Sequence, residues 1–291
     1  MHLLRWYAAF AYIRNRQGKQ TIKMVCRICL TRNRQGKQTI KVVHNTEREE
    51  NMELVIDRLT KQYKNKIAVD RISLRFAQGI YGLLGANGAG KTTLMRMLCG
   101  ILNPTSGTIA FDGIDVATEE YRSELGYLPQ DFGYYPEFTG KDFLMYMAAL
   151  KGIGKREAAR RTEELLEIVS LKEAAKKKIK TYSGGKKQRL GIAQAIINDP
   201  KILILDEPTA GLDPKERVRF RNMIAELGKD SIVILSTHIV SDVEHIADYI
   251  LMMNQGKLTF QGKREEITDD LEAFYLREFG ENEDVYEDAC L

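Results

Sequence analysis

The chain has 291 residues, 44% of them hydrophobic, with 44 Lys and Arg against 40 Asp and Glu and a formal net charge of +4. That length suits one or two domains with a substantial core, and no uninterrupted apolar run approaches the roughly 18 residues a helix needs to cross a bilayer, so the chain is not expected to form a pore by itself. Its four cysteines, at 26, 29, 99 and 290, show no disulfide framework, and Cys26 with Cys29 is a single C-x-x-C without the second pair that structural zinc normally requires.

Residues 14–23 read RNRQGKQTIK, and residues 32–41 read the same ten letters again. Two such units without a clear apolar face are not expected to stack into a core. Eleven Lys and Arg against three Asp and Glu give residues 1–51 a formal charge of +8 and leave residues 52–291 at −4. Two expectations follow: a basic extension without regular structure that meets nucleic acid or anionic membrane, or a stretch ahead of a true start at Met52. Residues 6–13 are apolar but too short for a spanning helix, and no small-residue cleavage site follows them. Met52-Glu53-Leu54-Val55-Ile56 begins the first strand of what comes next.

The apolar residues 80–84 run into Gly85-Ala86-Asn87-Gly88-Ala89-Gly90-Lys91-Thr92-Thr93 and then into an amphipathic stretch, 94–99. The pattern predicts a strand, a phosphate loop and a helix. Glycines at 85, 88 and 90 allow the sharp turn that aims backbone N–H groups and a helix N-terminus at the β- and γ-phosphates of ATP or GTP. Lys91 adds positive charge, and the Thr92 hydroxyl is placed to ligate Mg²⁺, as G-x-x-x-x-G-K-[ST] requires.

From residue 131 to about 182 the periodicity becomes helical. Thr139 with Asp142 makes a capping box ahead of 143–150, and 158–169 has one apolar face with Arg and Glu opposite. The basic run 176–178 with Lys180 reads as a solvated face. Ser183-Gly184-Gly185 leads into a predicted helix over 187–197, a second anion site built like the first. Residues 202–205 form another apolar strand ending in Asp206-Glu207-Pro208, a Walker B strand: Asp206 would hold Mg²⁺ and Glu207 would polarise a water facing the γ-phosphate. His238 follows a further strand, 232–235, whose end is expected beside those of 80–84 and 202–205, where ligands gather in open parallel sheets. A helix over 241–247, a hairpin of 249–254 and 258–261 turning at Gln255-Gly256, and an acidic, frayed tail from Glu281 complete the chain.

Tyr182-Ser183-Gly184-Gly185-Lys186-Lys187-Gln188-Arg189 resembles the signature sequence of ATP-binding cassette (ABC) proteins, and the rest of that family's pattern is present in order. Tyr63 matches the aromatic that stacks on adenine, Gln130 in Tyr127-Leu128-Pro129-Gln130 the Q-loop, Gly211-Leu212-Asp213 the D-loop, and His238 in Ser236-Thr237-His238 the switch histidine. The resemblance covers about residues 52–262 and leaves 263–291 as a tail. Tyr182 stands where leucine is commoner and Lys186 where glutamine is commoner; neither change removes the serine or the glycines that handle phosphate.

The resemblance implies an α/β fold: a P-loop NTPase core with a mainly parallel sheet, an N-terminal antiparallel β part and an inserted helical subdomain. It implies a catalytic set of Lys91, Gln130, Glu207 and His238, a nucleotide cradle of Tyr63, residues 85–93, Ser183, Gly184, Gly185 and Asp213, and Mg²⁺ held by Thr92, Gln130 and Asp206. In the family the signature of one subunit closes over ATP on the P-loop of the other, so the expected partners are a second cassette, identical or related, and an integral membrane permease. Phe132, Tyr134, Tyr135 and Phe138 would then line the groove that receives a permease helix, unless local packing takes them. The expected location is cytoplasmic, on the inner face of the membrane through the permease, with an exporter-type role and no nucleic acid. The alternative is a soluble ABC-type ATPase acting on ribosomes or nucleic acid; translation-type cassettes carry two motif sets and the chromosome-maintenance type a long coiled coil, whereas this chain has one set and no heptad run.

Overall fold

The computed structural model describes residues 52–209 and 211–280, and within residues 1–51 the backbone of three strands. The chain divides into two units, Met1–Asn51 and Met52–Leu291. Against an expected extension without regular structure, the first unit runs as β1 (Trp6–Arg14), β2 (Gln20–Arg32) and β3 (Gln38–His44), antiparallel in that order. Each copy of the ten-residue repeat begins on the last residue of one strand and ends inside the next. The acidic tail from Glu281 lies outside the described residues.

In the second unit the order is β4 (Leu54–Tyr63), β5 (Lys66–Phe76), β6 (Gly79–Leu84), α1 (Lys91–Leu98), β7 (Ser106–Phe111), β8 (Ile114–Asp115), α2 (Glu119–Ser123) and β9 (Leu125–Leu128). There follow α3 (Gly140–Leu150), α4 (Lys155–Ile168), α5 (Gly184–Ala195), β10 (Ile202–Asp206), α6 (Pro214–Leu227), β11 (Ile232–Thr237), α7 (Val240–Glu244), β12 (Tyr249–Asn254), β13 (Lys257–Lys263) and α8 (Leu271–Gly280). A six-stranded sheet runs β13-β12-β6-β11-β10-β9, parallel except for β13, and a four-stranded antiparallel sheet runs β5-β4-β7-β8.

The parallel strands are apolar at nearly every position because both faces of their sheet are covered. Successive residues alternate between two cores. Leu84, Leu203, Leu205, Val233 and Leu235 pack with the helices α3 to α7, while Leu83, Ile202, Ile204, Ile232 and Ile234 pack with α1 and the antiparallel sheet. Helix α1 is thereby held between two sheets by Leu94, Met95, Met97 and Leu98. The helical insert has the expected capped start: Thr139 accepts a hydrogen bond from the Asp142 N–H at 3.1 Å at the head of α3. Tyr182, the departure from leucine, is buried and donates its hydroxyl to the Ala174 carbonyl at 2.8 Å, which satisfies the polar end of a side chain whose ring fills the core.

Several elements differ from the sequence expectation; α7, expected over 241–247, runs from Val240 to Glu244. Helix α5 begins at Gly184 rather than 187, because Ser183 itself is its N-cap. Helix α8 was not anticipated; Ile267 just before it and Leu271 at its start are buried in the core beside α7.

Candidate active site

The C-terminal ends of β9, β6, β11 and β10 lie at one edge of the parallel sheet, and the chain leaves them at Gln130, the phosphate loop, His238 and Glu207. Register fixes their neighbours: Thr237 pairs with Leu84, Ser236 with Asp206, and Leu205 with Leu128. The strand that carries His238 therefore lies between the strand that feeds the phosphate loop and the strand that ends in Asp206.

In the loop, a Cβ on Gly85 would collide with the Met253 carbonyl, and one on Gly90 with the Ala68 carbonyl. Gly90 has φ +110° and caps α1. Glycine is thus required where the loop leaves β6 and where it enters the helix, because neighbouring backbone occupies the space a side chain would need. Ala86, Asn87 and Gly88 form the exposed crest, Ala89 is buried, and Thr92 and Thr93 are half-buried in the first turn of α1. Lys91 is buried and donates its ammonium to the carbonyls of Gly85 at 2.6 Å and Ala86 at 3.1 Å. Burial lowers its pKa, against the opposing pull of the Glu207 and Asp206 carboxylates.

Asp206 is 1% exposed. Its Oδ1 accepts from the Ser236 hydroxyl at 2.5 Å, while Oδ2 is buried without a hydrogen-bond partner. A buried carboxylate oxygen left open beside a phosphate loop suits a hydrated cation. Glu207 adopts φ +51°, a left-handed conformation rare for a side chain of its size, and its N–H donates to Ser236 at both the carbonyl and the hydroxyl oxygen, 3.2 Å each. The twist turns the carboxylate toward His238, whose Nδ1 lies 2.9 Å from Oε2. Glu207 is buried, whereas the His238 side chain is 58% exposed.

Gln130 is exposed just beyond β9. Tyr63 ends β4 and is 46% exposed, with the Lys61 ammonium 5.3 Å from its ring centroid. Its hairpin reaches the phosphate loop through β5, where Ala68 abuts Gly90, and through the β12–β13 turn, where the Gly256 N–H donates to Ala89 and the Asp70 N–H to Gly256, 2.8 Å each.

Ser183 and Gly184 are exposed, and the Ser183 hydroxyl accepts from the Lys186 N–H at 3.4 Å. Behind them Arg189 pairs with Glu216 at 2.9 Å, and Glu216 fills the space beside Gly185, where a Cβ would meet it at 2.6 Å. Asp213 caps α6 by accepting from the Glu216 N–H at 2.8 Å. Among the described residues no hydrogen bond or ion pair joins Ser183, Gly184 or Gly185 to residues 85–93. The structure thus gathers Lys91, Asp206, Glu207 and His238 at one edge and leaves the Ser183-Gly184 turn facing solvent. Sequence reasoning gave no role of its own to Ser236, which holds the Asp206 carboxylate and the Glu207 backbone N–H; only its place in the switch motif pointed to one. A cavity of about 700 Å³ beside Phe76, Tyr81 and Tyr249 is lined by none of these residues.

A family model for ABC transporters matches residues 69–210. The chain is 43% identical over 215 residues to an ABC transporter ATP-binding protein of Bacillus subtilis, covering 74% of this chain and 72% of that one. It is 41% identical over 205 residues to a bacitracin transport ATP-binding protein of Bacillus licheniformis (69% and 66%), and 37% identical over 218 residues to a daunorubicin resistance ATP-binding protein of Streptomyces coeruleorubidus (74% and 69%). Among solved structures, the ATP-binding subunit of an ABC transporter superposes with a TM-score of 0.72 at 26% identity, over 77% of this chain and 98% of that one. An ATP-binding cassette solved as a dimer in a post-hydrolysis state with ADP and Pi shares the fold, with a TM-score of 0.68 at 24% identity over 72% and 98%. By sequence and fold, this chain belongs to the ATP-binding, ATP-hydrolysing proteins of the ABC transporter family.

Proposed function

We propose that the protein is the motor subunit of an exporter: two cassettes close head to tail around two ATP molecules, hydrolysis reopens them, and the motion drives a separate membrane permease. The export direction is supported by relatives whose names speak of bacitracin transport and of daunorubicin and linearmycin resistance. No helix among the described residues is long and apolar enough to cross a membrane, so the pathway for substrate falls to the partner. Attachment through that partner would keep the protein peripheral, on the cytoplasmic side.

One observation carries the dimer: a serine-capped, glycine-opened helix start that faces solvent and is not engaged by the chain's own phosphate loop. In its partner that turn would bind the γ-phosphate lying on Lys91 and the loop N–H groups, with Tyr63 against the adenine and Asp213 near the paired surface. Thr92, Gln130 and Asp206 would hold Mg²⁺, which when bound neutralises charge on the β- and γ-phosphates. Glu207 orients the attacking water and takes its proton as the water oxygen bonds to the γ-phosphorus and the bond to ADP breaks. His238, released from Glu207, turns to the γ-phosphate and holds the released phosphate.

The permease would dock on the helical subdomain. Tyr135, Phe138 and Tyr146 form an aromatic trio with centroids 5.0–5.8 Å apart, and Tyr135 is 51% exposed. Phe132, by contrast, packs edge-on against the buried Phe143 at 5.6 Å, so local packing accounts for it. Replacing Tyr135 and Tyr146 together by Ala is expected to weaken co-purification with the permease by about tenfold or more while ATP affinity stays unchanged. The measurement is a detergent pull-down of the co-expressed pair alongside nucleotide titration. Undiminished recovery of the permease would move the docking surface elsewhere.

A further inference from the structure

Glu207 and His238 each lie one residue beyond the paired strands β10 and β11, where the ladder ends, so the segments that follow them depend on other contacts to stay in register. Two residues after Glu207, Thr209 is 1% exposed, and its hydroxyl donates to Oδ2 of Asp242 at 2.5 Å. Asp242 is 3% exposed and lies in α7, the short helix that starts two residues after His238. The other Asp242 oxygen, Oδ1, faces the Arg217 guanidinium at 3.9 Å, and Arg217 also donates through Nε to the Leu212 carbonyl at 3.2 Å. Leu212 in turn donates its N–H to the Thr209 carbonyl at 3.1 Å, and Arg221 reaches from α6 to the Ser241 carbonyl at 3.2 Å. Two buried polar side chains paired to each other are worth most where they fix one geometry, since either alone leaves the other unsatisfied.

We infer that Asp242, through Thr209 and Arg217, is a positioning residue for hydrolysis: it locks the helix after His238 to the segment after Glu207 and so fixes the distance between the two side chains that handle the γ-phosphate. The inference rests on Glu207 and His238 acting as proposed above. Neither Asp242 nor Thr209 touches the place of the nucleotide, so the pair acts on turnover rather than on binding.

The test compares Thr209→Val, Thr209→Ser, Asp242→Ala and the Thr209→Val/Asp242→Ala double variant in the full chain, with Glu207→Gln alongside, reading kcat and KM for ATP and checking folding by circular dichroism. Thr209→Val keeps the side-chain shape and removes only the hydroxyl, which guards against a variant that fails to fold. Expected are a kcat lowered on the order of tenfold in Thr209→Val and Asp242→Ala, a KM within about twofold of the parent, near-parental turnover in Thr209→Ser, and a double variant no worse than the poorer single one. A folded Thr209→Val with parental kcat while Glu207→Gln is inactive would overturn this inference alone, as would losses that add in the double variant. Parental turnover by Glu207→Gln would instead remove the catalytic reading on which it stands.

Discussion

Glu207→Gln is expected to bind ATP with about parental affinity and to hydrolyse it at least about 100-fold more slowly, the scale on which a positioned general base contributes. The substitution keeps size and shape and removes only the ability to take a proton. Because the Glu207 backbone is fixed by its N–H bonds to Ser236, the glutamine should occupy the same place beside His238. The step that reopens the pair then fails while the step that closes it does not, so an ATP-bound dimer accumulates, visible by size exclusion with light scattering. Turnover at the parental rate would refute the role of Glu207.

Lys91→Ala is expected to act one step earlier, on binding. Lys91 is buried and spends its ammonium on the Gly85 and Ala86 carbonyls, poised where phosphate oxygens would replace them. Truncating one partner of a desolvated charge pair costs about 2–5 kcal/mol, so ATP affinity should fall by roughly 30-fold to several thousand-fold in nucleotide titration. No dimer should form on ATP. The two variants thus separate on one assay: Glu207→Gln dimerises and stalls, Lys91→Ala does neither. Tight ATP binding by a folded Lys91→Ala would mean that the loop N–H groups alone hold the phosphates.

Much of this was legible because its signals are local. The apolar run ahead of the phosphate loop is β6, the run ahead of Asp206 is β10, and Gln255-Gly256 turns the last hairpin with both residues at positive φ, +45° and +83°. Other parts left no local trace. Strand β4 continues to Tyr63, but its alternation breaks at Asp57-Arg58, where register shifts and Arg58 has φ +45°, so only its first residues read as a strand. Helix α8 has Leu271, Phe274, Tyr275 and Phe279 at helical spacing, yet it falls in the stretch that the family pattern leaves as a tail; burial of Leu271 beside α7 supplies what the segment lacks by itself. The Thr209–Asp242 bond spans 33 positions, and no spacing rule foresees it. The expected roles of Gln130 and Tyr63 rest on the family pattern, since both are exposed and neither is held by the site's buried network.

Sharing of each active site between two copies is tested by mixing two variants. Lys91→Ala lacks a working phosphate loop but keeps its signature turn, whereas Ser183→Arg keeps the loop and blocks the turn. Each alone should be inactive, and an equal mixture should recover about a quarter of the parental ATPase rate, because half of the pairs are mixed and each carries one complete site. Parental hydrolysis by Ser183→Arg alone, or no recovery on mixing two folded variants, would contradict it.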